Sequence, residues 1–212
     1  MKPNPILLLS ICFLLSIVFF SCGDDKAIEK EKPSIILKKD KPKSKTDTTP
    51  SAVPIINIAD TIELNNWVLC FKDSAINTVR LSKKLTQIYD EKIAAVIKKN
   101  KIKQTGPSMA WYKSQKAPFF FEAGIPVDKK PAKLPKNAFM KKLGGTRIIV
   151  AHYYGPYEET VQAYQILKDW IKENHKKIAG PSYEIYIGNP IDEAGNIVDP
   201  YKVQTDIVIP YR

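Results

Sequence analysis

Residues 180–187 read Gly-Pro-Ser-Tyr-Glu-Ile-Tyr-Ile, and residues 106–113 read Gly-Pro-Ser-Met-Ala-Trp-Tyr-Lys. Each Gly-Pro pair ends a helical pattern and introduces a short run typical of a strand. The same offset of 74 residues relates four positions of the preceding helices, with Ile93, Val96, Ile97 and Asn100 matching Leu167, Trp170, Ile171 and Asn174. A helix, a turn and a strand that recur in one order indicate an internal duplication.

A closing strand also recurs, because Gly124-Ile125-Pro126 matches Val208-Ile209-Pro210 at an offset of 84. The second copy therefore has ten additional residues before this strand, and the turn-rich stretch 188–195 accounts for most of them. Each copy reads as a strand, a helix and two further strands. The predicted strands are 67–71, 108–113 and 119–127 in the first copy and 146–154, 182–187 and 203–210 in the second. We predict an α+β fold of two β-α-β-β units related by a pseudo-twofold axis, with antiparallel sheets and two main helices.

The helices are predicted from apolar residues at helical spacing. The first helix runs from Leu81 to Ile97. The second follows Pro156, and its N-terminal acids Glu158 and Glu159 suit the helix dipole. Its apolar stripe is predicted to consist of Val161, Leu167, Trp170 and Ile171.

Strand alternation singles out one carboxylate. Tyr183, Ile185 and Ile187 share a face that is apolar in both copies, since Met109 and Trp111 correspond to it, and this face is expected to meet the helices. The other face holds Glu184 and Tyr186 against Ala110 and Tyr112. An unpaired acid between tyrosines at a pseudo-symmetric seam predicts a pocket for a cation or hydrogen-bond donor with apolar bulk. A solvated face with Glu184 as a surface acid is the alternative.

The N-terminus reads as a targeting segment. Lys2 precedes the uncharged apolar run 6–20, and Ser21-Cys22 follows. This pattern resembles a lipobox and predicts a signal peptide at 1–21 and a lipidated, palmitate-bearing Cys22. A flexible tether at 22–62 and a domain at 63–212, with copies at about 63–135 and 140–212, would follow. The protein would then be anchored to a membrane of the bacterial cell envelope, facing the periplasm or the exterior. An uncleaved anchor and an ordinary signal peptide are the alternatives.

Composition narrows the function further. The sequence has three cysteines, Cys12, Cys22 and Cys70, which are too few for a disulfide framework and do not have the spacing of zinc ligands. With only two histidines, a His-rich metal site is not expected, and we predict no metal and no cofactor. Cys70 reads as a buried small hydrophobe rather than a catalytic thiol. Export argues against nucleic acid as a partner, despite the net charge of +11. The basic excess lies on the domain, where it is either a solvated surface or attracts anionic lipid headgroups or polysaccharide.

The motifs Gly180-Pro-Ser-Tyr-Glu-Ile-Tyr186, Gly155-Pro-Tyr-Glu-Glu159 and Thr205-Asp-Ile-Val-Ile-Pro210 resemble the GyrI-like small-molecule-binding domain, the effector-binding domain of AraC- and MerR-type regulators. Gly106-Pro107 and Glu122–Val127 extend the resemblance to the first copy. The resemblance implies a duplicated fold, a ligand cleft between the copies and an acid, matched by Glu184, that contacts cationic aromatic ligands. The sequence has no helix-turn-helix, so the regulatory role is not implied.

The leading hypothesis is a lipid-anchored binding protein for small organic molecules, cationic or amphipathic. Its candidate ligand-binding residues are Glu184, Tyr186, Tyr112, Trp111, Tyr153 and Tyr154. The alternative is a hydrolase of a small electrophile in which Glu184 activates water. Haem binding through His152 and an interaction role with an envelope protein partner are two further hypotheses.

Overall fold

The computed structural model describes residues 52–212, so the predicted signal peptide, the lipidation site Cys22 and most of the predicted tether lie outside the described residues. Residues 52–212 form eight strands: β1 (Ile55–Ile62), β2 (Asn66–Ala75), β3 (Ser108–Tyr112), β4 (Phe119–Val127), β5 (Ala138–Leu143), β6 (Arg147–Tyr154), β7 (Tyr183–Tyr186) and β8 (Gln204–Tyr211). The helices are α1 (Thr78–Thr86), a π-helical segment (Gln87–Ile93), α2 (Ala94–Asn100) and α3 (Val161–Glu173), with 3-10 turns at Tyr157–Glu159 and Pro200–Lys202.

The strands form one antiparallel sheet in the order β1-β6-β8-β7-β3-β4-β2-β5. Read outward from the centre, β7-β8-β6-β1 mirrors β3-β4-β2-β5. Ala110 of β3 lies directly opposite Glu184 of β7, and the repeat relates the same two residues. The local twofold axis therefore passes between Ala110 and Glu184, and the predicted α+β duplication is confirmed.

The two outermost strands correct the predicted organisation. The tether was predicted to extend to residue 62, but Ile55–Ile62 is β1, which pairs with β6 along its whole length. β5, which pairs with β2, was not predicted. Both are edge strands whose side chains are mostly exposed or half-buried, so their apolar patterns are weak. Pairing with a neighbouring strand, which composition does not reveal, supplies their backbone hydrogen bonds.

The helices cover one face of the sheet. The first helix, which consists of α1, the π-helical segment and α2, packs on β2 and β4, and α3 packs on β6 and β8. The central pair β3–β7 therefore lies between the two helices. On α3 the buried stripe is Ala163, Tyr164, Leu167 and Ile171. Val161, predicted to belong to the stripe, is the first residue of α3 and is 62% exposed.

The expected orientation of the central strands is wrong. Ala110 and Tyr112 pack in the cluster that holds the first helix, whereas Met109, Trp111 and Tyr183 belong to a separate cluster with no helical residue. Both faces of the sheet are apolar at this point, so alternation does not identify the face that carries the helices. Directly opposed residues share a face, and Glu184, opposite Ala110, is therefore on the helix side.

Cys70 is fully buried in the helix-free cluster, as predicted, and burial raises its thiol pKa to about 12. Its surroundings therefore keep the thiol protonated and unreactive. Within residues 52–212, no helix is long and apolar enough to cross a membrane.

Candidate functional site

Glu184 lies on the central strand β7, on the face of the sheet that carries the helices, and is 0% exposed. Its carboxylate accepts three tyrosine hydroxyls. The Tyr164 hydroxyl donates to Oε1 at 2.9 Å, and the hydroxyls of Tyr157 and Tyr186 donate to Oε2 at 2.9 and 3.0 Å. The donors come from α3, from the turn before it and from β7 itself, so the site depends on the packing of α3 against the sheet.

The tyrosines extend as a chain across the twofold axis. The hydroxyls of Tyr112 and Tyr186 are 2.7 Å apart, and these residues occupy equivalent positions in the two copies. Since Tyr186 donates its single hydroxyl proton to Glu184, Tyr112 is the donor to Tyr186. Tyr89, from the π-helical segment, packs edge-on against Tyr186 with ring centroids 6.4 Å apart and donates to the Met109 carbonyl. The surroundings of Glu184 therefore contain aromatic rings from both copies.

Burial raises the pKa of Glu184, and the three hydroxyl donors oppose that rise because they stabilise the charged form. Burial raises the pKa of Tyr157 and of Tyr164, and the neighbouring carboxylate raises both pKa values further. Among residues 52–212, no basic side chain forms an ion pair with Glu184. The described residues thus offer only neutral dipoles to the charged form of Glu184, and the carboxylate can accept a proton, a hydrogen-bond donor or a cation.

A cavity of about 340 Å³ is lined in part by Tyr112 and Tyr164 of this cluster and is open to solvent. Its volume lies in the range of small-molecule pockets, about 300–1,000 Å³. Because Glu184 itself is inaccessible, a ligand that reaches the carboxylate from this cavity must displace at least one hydroxyl donor. Such a ligand has to replace the lost hydrogen bond with a donor or a positive charge.

The structure brings together three of the six predicted ligand-binding residues, Glu184, Tyr112 and Tyr186. Trp111 instead lies on the helix-free face against Tyr183, with ring centroids 5.2 Å apart. The hydroxyl of Tyr153 donates to the Pro156 carbonyl at 2.7 Å inside the α3 core.

The remaining predicted residue is also outside the cluster. The Tyr154 hydroxyl donates to Gln204 Oε1 at 2.6 Å. His152, the candidate haem ligand, contacts Asp206 Oδ1 through its Nδ1 at 2.7 Å. Both side chains lie on the helix-free face of the sheet, because they alternate along β6 with Ile148 and Val150, which belong to the helix-free cluster. Glu184 lies on the opposite face.

Three site residues were missed. Tyr164 precedes Leu167 by three residues and could have been placed on the buried stripe of α3. Tyr157 follows a Gly-Pro turn outside any periodic pattern, and the residue is 39% exposed even though its hydroxyl reaches Glu184. Tyr89 lies in a π-helical segment whose extra residue shifts the side-chain register, which an analysis at ordinary helical spacing does not anticipate.

Comparisons with known proteins agree with this geometry. The family model described as GyrI-like small molecule binding domain matches residues 81–212. No curated protein sequence matches the chain. The crystal structure of the EcmrR C-terminal domain superposes with a TM-score of 0.60 at 16% identity, over 76% of this chain and 99% of that one.

Two other structures share the fold. The EcmrR chain in its cryo-EM complex with DNA also gives a TM-score of 0.60 at 16% identity, over 75% of this chain, which spans 57% of that longer chain. A hydrolase from Listeria innocua gives 0.51 at 10% identity, over 73% of this chain and 91% of that one. The family model spans more than half of the chain, and the protein therefore belongs to the GyrI-like small-molecule-binding domain family.

Proposed function

We propose that this protein binds a small organic molecule with a cationic or hydrogen-bond-donating group and apolar bulk, and that Glu184 is the counter-charge. The observation that carries the proposal is a fully buried carboxylate whose described neighbours supply hydroxyls but no positive charge. A buried charge without an ionic partner is unfavourable, and a cationic ligand would supply that partner.

The aromatic wall supports the same ligand class. Tyr112, Tyr164 and Tyr186 adjoin the carboxylate, and tyrosine ring faces attract cations while offering apolar contact area.

The test compares two ligands of one shape. A permanently charged aromatic cation, an N,N,N-trimethylanilinium ion, and its neutral isostere, tert-butylbenzene, are titrated into the protein during thermal unfolding. We expect the cation to raise the melting temperature and the isostere to have a much smaller effect, since a ligand at 100 times its Kd adds about 2.7 kcal/mol to the free energy of unfolding. Equal stabilisation by both ligands would contradict a role for charge.

We further propose that lipidated Cys22 anchors the protein to a bacterial envelope membrane, with the domain facing the periplasm or the exterior. The apolar run 6–20 followed by Ser21-Cys22 supports this proposal. Cells fed an alkyne analogue of palmitate should label the wild type and the Cys12→Ser control, which lacks a cysteine of the removed segment, but not Cys22→Ser. Equal labelling of Cys22→Ser would contradict the anchor.

A further inference from the structure

The cavity outside Glu184, which we name the vestibule, has a charge pattern of its own. Its inner wall is formed by Tyr112 and Tyr164, which separate it from the carboxylate. Its lining also includes three exposed lysines, Lys113, Lys116 and Lys168, and the other lining residues are neutral. The path to a buried acid therefore runs past a positively charged entrance.

The lysines reach the vestibule from two sides. Lys113 and Lys116 belong to the connection between β3 and β4, where the Lys116 backbone N–H donates to Ser114 Oγ at 3.1 Å. The Ser114 hydroxyl also contacts the Lys116 carbonyl at 3.2 Å, which closes a tight turn. Lys168 lies on α3 four residues after Tyr164, so the two side chains share one helix face. An anion in the vestibule would therefore lie between lysines of the β3–β4 connection and a lysine of α3.

This arrangement discriminates between ligands of different charge. A molecule with positive charge alone gains at Glu184 but is repelled by three ammonium groups at the entrance, whereas a molecule with an anionic outer end is attracted to both ends of the site. The entrance charges are exposed, so their influence weakens as salt is added.

From these charges we propose that the ligand of this site is a zwitterion, with a cationic or donating group at Glu184 and an anionic group held in the vestibule by Lys113, Lys116 and Lys168. The inference rests on the proposed function and narrows its ligand class. It assigns the three lysines as residues that determine specificity for the outer end of the ligand.

The probes are three molecules with the same ring and different charges. They are 4-(aminomethyl)benzoate as the zwitterion, its N-methylamide as the cation and 4-methylbenzoate as the anion, with a biphenyl series to allow for a longer separation of the ends. Affinities are measured calorimetrically at low and high salt. We expect the better-fitting zwitterion to bind at least tenfold more tightly than the cation at low salt, and this preference to shrink at high salt.

The lysines are tested as a set. In Lys113→Gln/Lys116→Gln/Lys168→Gln the preference for the zwitterion should fall to about twofold or less. The matched control, Lys98→Gln/Lys99→Gln/Lys101→Gln, removes three lysines near the end of α2 that do not line the vestibule, and it should retain the preference. Thermal unfolding of both variants confirms that each is folded.

The outcomes separate this inference from the proposed function. If the wild type binds the cation as tightly as the zwitterion, and Glu184→Gln abolishes that binding, the inference of a zwitterionic ligand is overturned and the proposed function stands. A preference for the zwitterion that survives loss of all three vestibule lysines also overturns the inference. If none of the probes binds, or if those that bind do so equally well to Glu184→Gln, both proposals are overturned.

Discussion

Glu184→Gln should lower the affinity for a permanently charged aromatic cation about a hundredfold at neutral pH, and should change the affinity for its neutral isostere by no more than about threefold. Removing one partner of a buried charge pair costs about 2–5 kcal/mol, and a hundredfold loss corresponds to about 2.7 kcal/mol. Glutamine keeps the shape of the side chain and an oxygen that accepts a tyrosine hydroxyl, so the variant tests charge rather than packing. Calorimetric titration measures both affinities.

The pH profile of binding provides a second readout of the same variant. Burial raises the pKa of Glu184, so a cation that binds the carboxylate competes with a proton up to a higher pH than it would at an exposed glutamate. The affinity of the wild type should rise about tenfold per pH unit below that pKa and become constant above it. Glu184→Gln should give a flat profile, and an equally steep profile in the variant would contradict the assignment.

The same pKa shift has a consequence for stability in the absence of ligand. The folded protein retains the Glu184 proton at pH values above 4.5, at which a glutamate of the unfolded chain is mostly deprotonated. The contribution of this group to the free energy of unfolding is therefore largest below pH 4.5 and falls as pH rises towards the pKa of the folded state. Asp73 and Glu122 have lowered pKa values and act in the opposite direction, so the difference between wild type and Glu184→Gln isolates the group.

A companion substitution tests the hydroxyl donors. Tyr164→Phe removes the donor to Glu184 Oε1, which raises the pKa of Glu184 further and should shift the binding profile to higher pH. A hydrogen bond to a charged group contributes about 1.5–3 kcal/mol, so affinity for the cation at pH values below the pKa should fall at least about tenfold. Tyr154→Phe, which loses a hydroxyl that donates to Gln204 instead, is the matched control and should leave the profile unchanged.

Gly124→Ala should lower the free energy of unfolding by about 2 kcal/mol, because the added methyl group has no space. A Cβ at this position would lie 2.6 Å from Cys70 Sγ and 2.7 Å from Val68 Cγ1, and both of those residues are fully buried on the paired strand β2. The change is measured as a shift of the urea midpoint at constant slope.

Two controls accompany this substitution. Gly180→Ala places its Cβ 3.6 Å from Pro210 Cγ, an ordinary contact, and should change stability by no more than about 0.5 kcal/mol. Cys70→Ala removes the nearest obstacle, so the double variant Cys70→Ala/Gly124→Ala should be more stable than the sum of the two single effects predicts. Equal stabilities of Gly124→Ala and Gly180→Ala would show that the sheet relaxes around the methyl group.

The errors of the sequence interpretation share a physical origin. Alternation correctly separated Glu184 and Tyr186 from Tyr183 and Ile185, but it left open which face the helices cover, since both faces are apolar. Trp111 was included although it points away from Glu184. Tyr157, conversely, reaches the carboxylate from a turn that has no periodic pattern.

The sequence by itself determined the duplication, the order of helices and strands within each copy, and the position of one acid opposite an alanine at the seam. These features follow from repeats and side-chain periods, which are local properties of the chain. Tertiary structure alone decided which tyrosines donate to Glu184, that β1 and β5 complete the sheet and that three lysines surround the vestibule. Those relations join residues from different elements, and their distances are fixed by packing between elements rather than by any pattern within one of them.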